Sequence, residues 1–175
     1  MARDPLETLP SVPQFNVEAT DVNPDQTFSL PQYSGRMGIQ GGKDESPAIR
    51  FSNVPEETKS LVVQIYDPDA PTAGGYWHWT VINLPKDAEE LGADTGNPDQ
   101  NKLPGKAKNM LNDAGFAGYI GAAPPQGEKH RYFVIVSALN IDDLNLDENT
   151  TPNTINFQFN SHIIGRAVTI IEGSN

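Results

Sequence analysis

Two apolar runs, Leu61 to Tyr66 and Tyr76 to Leu84, are separated by Asp67-Pro68-Asp69-Ala70-Pro71-Thr72-Ala73-Gly74-Gly75, and this interruption constrains the fold more than any other feature. Proline has no backbone donor and restricts the residue before it, so neither run can continue through the acidic stretch. Each run has the length and apolar content of a buried strand. The Thr-Ala-Gly-Gly segment supplies a turn, and the second run opens with Tyr76-Trp77-His78-Trp79. Two strands thereby bring Asp67, Asp69 and His78 to the same end of a sheet. Carboxylates and an imidazole braced by prolines and aromatic rings form a preorganised site, because packed supports fix rotamers that solvent would scramble.

The rest of the chain reads as a frame of short strands. Glycine and proline number 15 each in 175 residues, which disfavours long helices and predicts many turns. Phe15 to Ala19 alternates apolar and polar residues, Thr27 to Leu30 repeats the pattern, and Ser46 to Phe51 is a third short strand with proline at its entry. His130 to Leu139 is a second strong strand, with Tyr132, Val134 and Val136 on one face and Phe133, Ile135 and Ser137 on the other. Lys86 to Leu91 has the pattern of one or two helical turns closed by Gly92. Gly92 to Gly127 reads as loop apart from a turn near Lys106 to Leu111, and a loop that long is expected to cover or form something. Thr151 and Pro152 open a helix with Ile155, Phe159 and Ile163 on one stripe, ended by Gly165, and Ala167 to Ile171 makes a final strand. The expected architecture is an all-β, mainly antiparallel β-sandwich with a few short helices, in one domain over residues 1–175. Residues 1–14, carrying Pro5, Pro10 and Pro13, are expected to lie on its surface as an extended arm.

Charge and composition remove several function classes. The formal net charge is −11 with an isoelectric point near 4.5, so there is no basic footprint with which to hold nucleic acid. No cysteine is present, which excludes disulfides and thiolate metal sites. No stretch approaches the roughly 18 apolar residues of a membrane span, and the N-terminus lacks the apolar core of a signal peptide, so the expected setting is the cytoplasm and the chain is not expected to be membrane-embedded.

Asp67-Pro68-Asp69-Ala70-Pro71 with His78 beyond it, then Gly121-Ala122-Ala123-Pro124-Pro125, Gly127 and His130-Arg131-Tyr132, together resemble the phosphatidylethanolamine-binding protein family, which includes Raf kinase inhibitor protein and the plant florigens. The likeness runs from about Ser46 to Leu139 and more weakly to the C-terminus. It implies a sandwich with a small anion pocket at one end that takes a phosphate-bearing head group or another small oxyanion. Carried over by position, the ligand-binding residues are Asp67, Asp69, Pro71, Trp77, His78, Ala123, Pro125, His130 and Tyr132, with no catalytic group, metal ligand or cofactor assigned. Trp77 stands where animal members carry a second histidine, Ala123 replaces a glycine, and the extra C-terminal helix of the animal proteins has no counterpart, which is the pattern of the bacterial and archaeal branch. Prokaryotic relatives imply a homodimer, and the animal members imply a kinase-inhibitor-like role, an implication that these departures weaken.

A carboxylate in an anion pocket needs a partner. Either Asp67 accepts a hydrogen bond from His78 and raises its pKa, so that an imidazolium faces the ligand, or Asp67 shares a proton with a monoprotonated phosphate. Asp69 with Arg131 is read first as an ion pair tying two strands, and His162 as unrelated to the pocket. The alternatives to a non-catalytic, regulatory binding module are a hydrolase with His78 or His130 as base and an inhibitor gripping a protein partner. The hydrolase lacks a nucleophile, with neither cysteine nor a Gly-x-Ser-x-Gly elbow. A zinc site from Asp67, His78 and His130 lacks a closely spaced histidine pair.

Overall fold

The computed structural model describes residues 4–175. Eight strands and one short α-helix follow in order: β1 (Asn16–Ala19), β2 (Ile49–Ser52), β3 (Ser60–Asp67), β4 (Tyr76–Pro85), β5 (Glu90–Leu91), β6 (Lys108–Asn109), β7 (Lys129–Leu139), α1 (Pro152–Phe159) and β8 (Ile163–Ser174). They form two antiparallel sheets, a three-stranded one ordered β1-β2-β5 and a five-stranded one ordered β6-β4-β3-β7-β8. This is the antiparallel sandwich expected from the strand pattern.

The five-stranded sheet is covered on both faces, which explains why β3 is buried throughout. Its inner face carries Leu61, Val63 and Ile65 of β3, Trp79 and Val81 of β4, and Val134 and Val136 of β7 against Ile49 and Phe51 of the small sheet. Its outer face packs Val62, Ile82 and Leu139 against Ile155 and Phe159 of α1. Side chains alternate between the two faces because the strand period is two residues, as the sequence indicated for β7. Val or Ile side chains buried this completely contribute about 1.5–3 kcal/mol each, so the sheet that carries the site is also the most strongly held part of the fold.

Several local expectations are corrected. Lys86 to Leu91 is a turn followed by β5, because the Phe51 N–H donates to the Glu89 carbonyl and six residues without a partner helix do not offset the cost of nucleation. Thr27 makes an isolated bridge to Glu172, and Leu30–Gln32 is a 3-10 turn, so Thr27 to Leu30 is not a strand. The helix stops at Phe159; a 3-10 turn covers Asn160–His162, and Ile163 already opens β8. Ile163 still packs against the Ile155 and Phe159 cluster, so its apolar spacing is compatible with the wrong element. The first three residues of the N-terminal arm lie outside the described residues. Residues 5–9 form turns, and the arm joins the sheet where the Arg166 N–H donates to the Pro13 carbonyl.

Candidate functional site

The site begins at a β-bulge. Across β3 and β4, Ile65 faces Trp79 and Tyr66 faces Trp77, so His78 between them has no opposite number. An extra residue kinks a strand and re-aims its side chains. Here it puts Trp77 on the outer face, 4.3 Å from the Tyr66 ring, while Trp79 stays in the inner core. His78 falls between them and turns toward the sheet's open end, where its ring lies 5.1 Å from that of Tyr132.

On β3 the inward positions end at Asp67, and one register step beyond the Tyr66–Phe133 pair places Tyr132 beside it. His130 is the next inward residue of β7. The crossing segments close the hollow: Asp67 Oδ1 accepts the N–H groups of Asp69 and Ala70 at 2.8 and 3.0 Å, which folds the prolines into a rim, and the Ile120 N–H donates to the His78 carbonyl, which draws in the Gly121–Pro125 wall. The result is a cavity of about 290 Å³ whose lining includes Asp67, Pro71, His78, Ala123, Pro125, His130 and Tyr132. Met37, Ala70, Thr72 and Tyr76 complete it; Met37 comes from a loop that carries no chemical signature in the sequence. Asp69 and Trp77 do not line this cavity. Arg131 holds the Asp69 carboxylate by a fork, Nε to Oδ2 at 2.9 Å and Nη2 to Oδ1 at 2.8 Å, and hydrogen bonding from that guanidinium keeps the Asp69 carboxyl below its usual range. That is the strand-tying pair expected from the sequence.

The pairing of carboxylate with imidazole differs from the expectation. Asp67 Oδ2 is 2.8 Å from His130 Nδ1, whereas His78 Nδ1 is 2.8 Å from the Ile120 carbonyl. A carbonyl only accepts, so His78 carries its hydrogen on Nδ1, and the neutral ring keeps a lone pair on Nε2. Burial disfavours the imidazolium and pulls the His78 pKa below 6.5, only partly opposed by the Ile120 carbonyl and Asp67. Burial acts the same way on His130, but its hydrogen bonds to Glu128 and Asp67 outweigh it and raise the value above 6.5. His130 Nε2 lies 3.0 Å from Glu128 Oε2, so both of its nitrogens are engaged and it is poorly placed to act as a general base. Burial, then the Asp67 charge, push the Tyr132 phenol far above its usual range, against a smaller opposing pull from the Ala123 backbone. Among the described residues, no three His, Asp or Glu side chains group as a metal site.

The two histidines therefore have opposite linkage to stability. The raised His130 value means its ion pair stabilises fully below about pH 6.5 and loses that contribution as pH rises through the folded value. The lowered His78 value means the neutral ring's contribution is present above about pH 6.5 and lost as pH falls through its folded value. Proton NMR titration of the imidazoles is expected to give one midpoint on each side of 6.5 for these residues; coincident midpoints would contradict the assignment of partners.

Residues 18–172 match the family model described as phosphatidylethanolamine-binding protein. The UPF0098 protein YbcL of Escherichia coli (strain K12) is 38% identical over 154 residues, 87% of this chain and 84% of YbcL. UPF0098 protein YbhB of the same organism is 41% identical over 131 residues, 75% of this chain and 82% of YbhB. The crystal structure of E. coli YbcL, described as a new member of the mammalian PEBP family, superposes with a TM-score of 0.87 at 35% identity, over 93% of this chain and 99% of that one. With the matched region holding most of both sheets, the bulge at His78 and every residue of the cavity lining, the chain belongs to the phosphatidylethanolamine-binding protein family.

Proposed function

We propose that this chain is a single-domain, non-catalytic binding module whose pocket takes a small oxyanion in its singly charged, protonated form, such as the monoanion of phosphate or of a phosphate-bearing head group. The observation that carries the reading is the division of labour between the histidines. His130 is the cationic partner of Asp67 and Glu128, and His78 offers an acceptor from Nε2 because its Nδ1 hydrogen is spent on Ile120. With the His130 charge already taken up by Asp67 and Glu128, the hollow has no free cation to offset a dianion beside Asp67, whereas a monoanion is repelled less and can donate a hydroxyl hydrogen to His78. The walls of Pro71, Ala123 and Pro125 exclude water and strengthen those few polar contacts.

A phosphate monoester loses its second proton near pH 6, so affinity is expected to rise on acidification. Titration calorimetry with phosphoethanolamine is expected to give one site per chain, at least about tenfold tighter near pH 5.5 than near pH 8, and inorganic phosphate, which loses its second proton nearer neutrality, is expected to show a smaller rise in the same direction. His78→Ala is expected to remove the binding. Absence of binding across that range, or affinity that rises with pH, would end this reading. Sedimentation of the same samples reads whether the module works as the homodimer that the resemblance implies.

A further inference from the structure

On the other face of the five-stranded sheet lies a buried cation with no counter-charge. Arg166 of β8 is 8% exposed. Its Nη1 donates to the Pro10 carbonyl at 3.1 Å, and its Nη2 is buried with no hydrogen-bond partner among the described residues. No carboxylate among the described residues forms an ion pair with it, in contrast to the Arg131–Asp69 fork. A guanidinium does not shed its proton, and native structures rarely leave a buried charge unpaired unless something else pairs with it.

Arg166 lines two cavities beneath the N-terminal arm, of about 360 and 330 Å³. The larger lies within the roughly 300–1,000 Å³ range of small-molecule sites. Its floor is polar where a sheet face under a helix is usually apolar: Ser137 stands directly opposite Arg166 in the β7–β8 register, and Gln64, itself 2% exposed, has a single long bond from Nε2 to Thr80 at 3.4 Å. Leu6, Leu9, Trp77, Ile135, Phe159 and Ile163 also line it. Trp77 and His78 are neighbours on β4 and point to opposite faces, so this cavity is separate from the Asp67–His130 pocket.

We propose that this second cavity is a binding site for a small organic carboxylate with an apolar tail, its head group on Arg166 and its tail among the aliphatic and aromatic walls. One unpaired guanidinium is neutralised by one negative charge, whereas a phosphate dianion would leave the interior of an already acidic protein net negative. The open Nη2 and the hydroxyl of Ser137 converge on a head group, and the Gln64 amide supplies a further polar contact. The arm, anchored by the Pro10 carbonyl on Nη1 and by the Pro13 carbonyl on the Arg166 N–H, is the cover under which the ligand is held.

Hexanoate is the probe and hexanamide, of the same shape without the charge, is its control. Titration calorimetry on the full chain is expected to show one hexanoate site with a dissociation constant of about 0.1–1 mM, at least about tenfold weaker binding of hexanamide, and no displacement by saturating phosphate. Backbone amide shifts are expected to move at Gln64, Ser137 and Asn156 and to stay put at Asp67 and His130. Arg166→Met is expected to lose at least about tenfold in affinity; should that variant fail to fold, Ser137→Leu, which fills the floor, is expected to do the same. Equal affinity for the acid and the amide, shifts confined to the Asp67–His130 pocket, or no saturation by about 10 mM hexanoate would each overturn the proposal.

Discussion

Asp67→Ala is expected to destabilise the fold by about 3–5 kcal/mol, the usual cost of removing one partner from a buried ion pair, and to abolish oxyanion binding. The carboxylate is 2% exposed and serves three donors at once: the N–H groups of Asp69 and Ala70 on one oxygen and His130 Nδ1 on the other. Alanine leaves two backbone donors without their acceptor in the turn that shapes the rim, and leaves the His130 imidazolium to Glu128 alone. Glu128 is largely in solvent, with its side chain 55% exposed, and holds a charge less firmly than a buried partner. Asp67→Asn keeps the acceptor for the turn but presents an amide hydrogen where His130 needs an oxygen. Its expected cost is smaller, about 1–3 kcal/mol, with the His130 midpoint shifted down. Urea unfolding of the three proteins, with the His130 titration followed in each, checks both statements. A loss below about 1 kcal/mol in Asp67→Ala, within the range of an ordinary surface change, would show that the pair does not hold the site together.

Gly121→Ala is expected to cost about 3 kcal/mol, at the upper end of ordinary overpacking, and to open the pocket wall. A Cβ at this position would stand 2.4 Å from the Tyr33 carbonyl carbon and 2.5 Å from the Ser34 nitrogen. Both are backbone atoms, so no side-chain rotation relieves the contact. The two segments are stitched on either side of it by the Ser34 N–H to the Ala122 carbonyl and by the Tyr119 hydroxyl to the Gln32 carbonyl at 2.8 Å. Separating them pulls the Ala123–Pro125 wall away from His78. Chemical denaturation is expected to show the stability loss, and calorimetry with phosphate near pH 5.5 a weakened site. Gly74→Ala is a matched control, since nothing lies within 4 Å of a Cβ there.

How much of this was legible beforehand depends on how local each signal is. Leu61 to Tyr66 and His130 to Leu139 announced their strands and their buried faces because the pattern repeats every two residues and needs no knowledge of partners. The order of the two motifs likewise anticipated that Asp67, His78, His130 and Pro125 line one cavity. Thr27 to Leu30 and Lys86 to Leu91 misled because a few residues at a sheet edge take whatever geometry their neighbours impose. Ile163 misled for a related reason: its spacing suits the helical stripe, yet hydrogen bonding along β7 recruits it into β8. Asp69 and Trp77 belong to the recognisable motif, but one carboxylate is occupied by Arg131 and one indole is turned to the opposite face. Met37 joins the lining from a loop with nothing in its sequence to mark it.

Sequence alone determined that the chain makes mostly antiparallel strands in a sandwich, that its net charge is strongly negative, and that two distant motifs meet at one cavity. Those conclusions rest on backbone restrictions and side-chain periodicity, which act over a few residues. Which imidazole Asp67 holds, which face Trp77 takes and where Arg166 is buried were decided only by tertiary structure. Each depends on strand register, and a single extra residue at His78 is enough to exchange the faces of the β4 side chains around it.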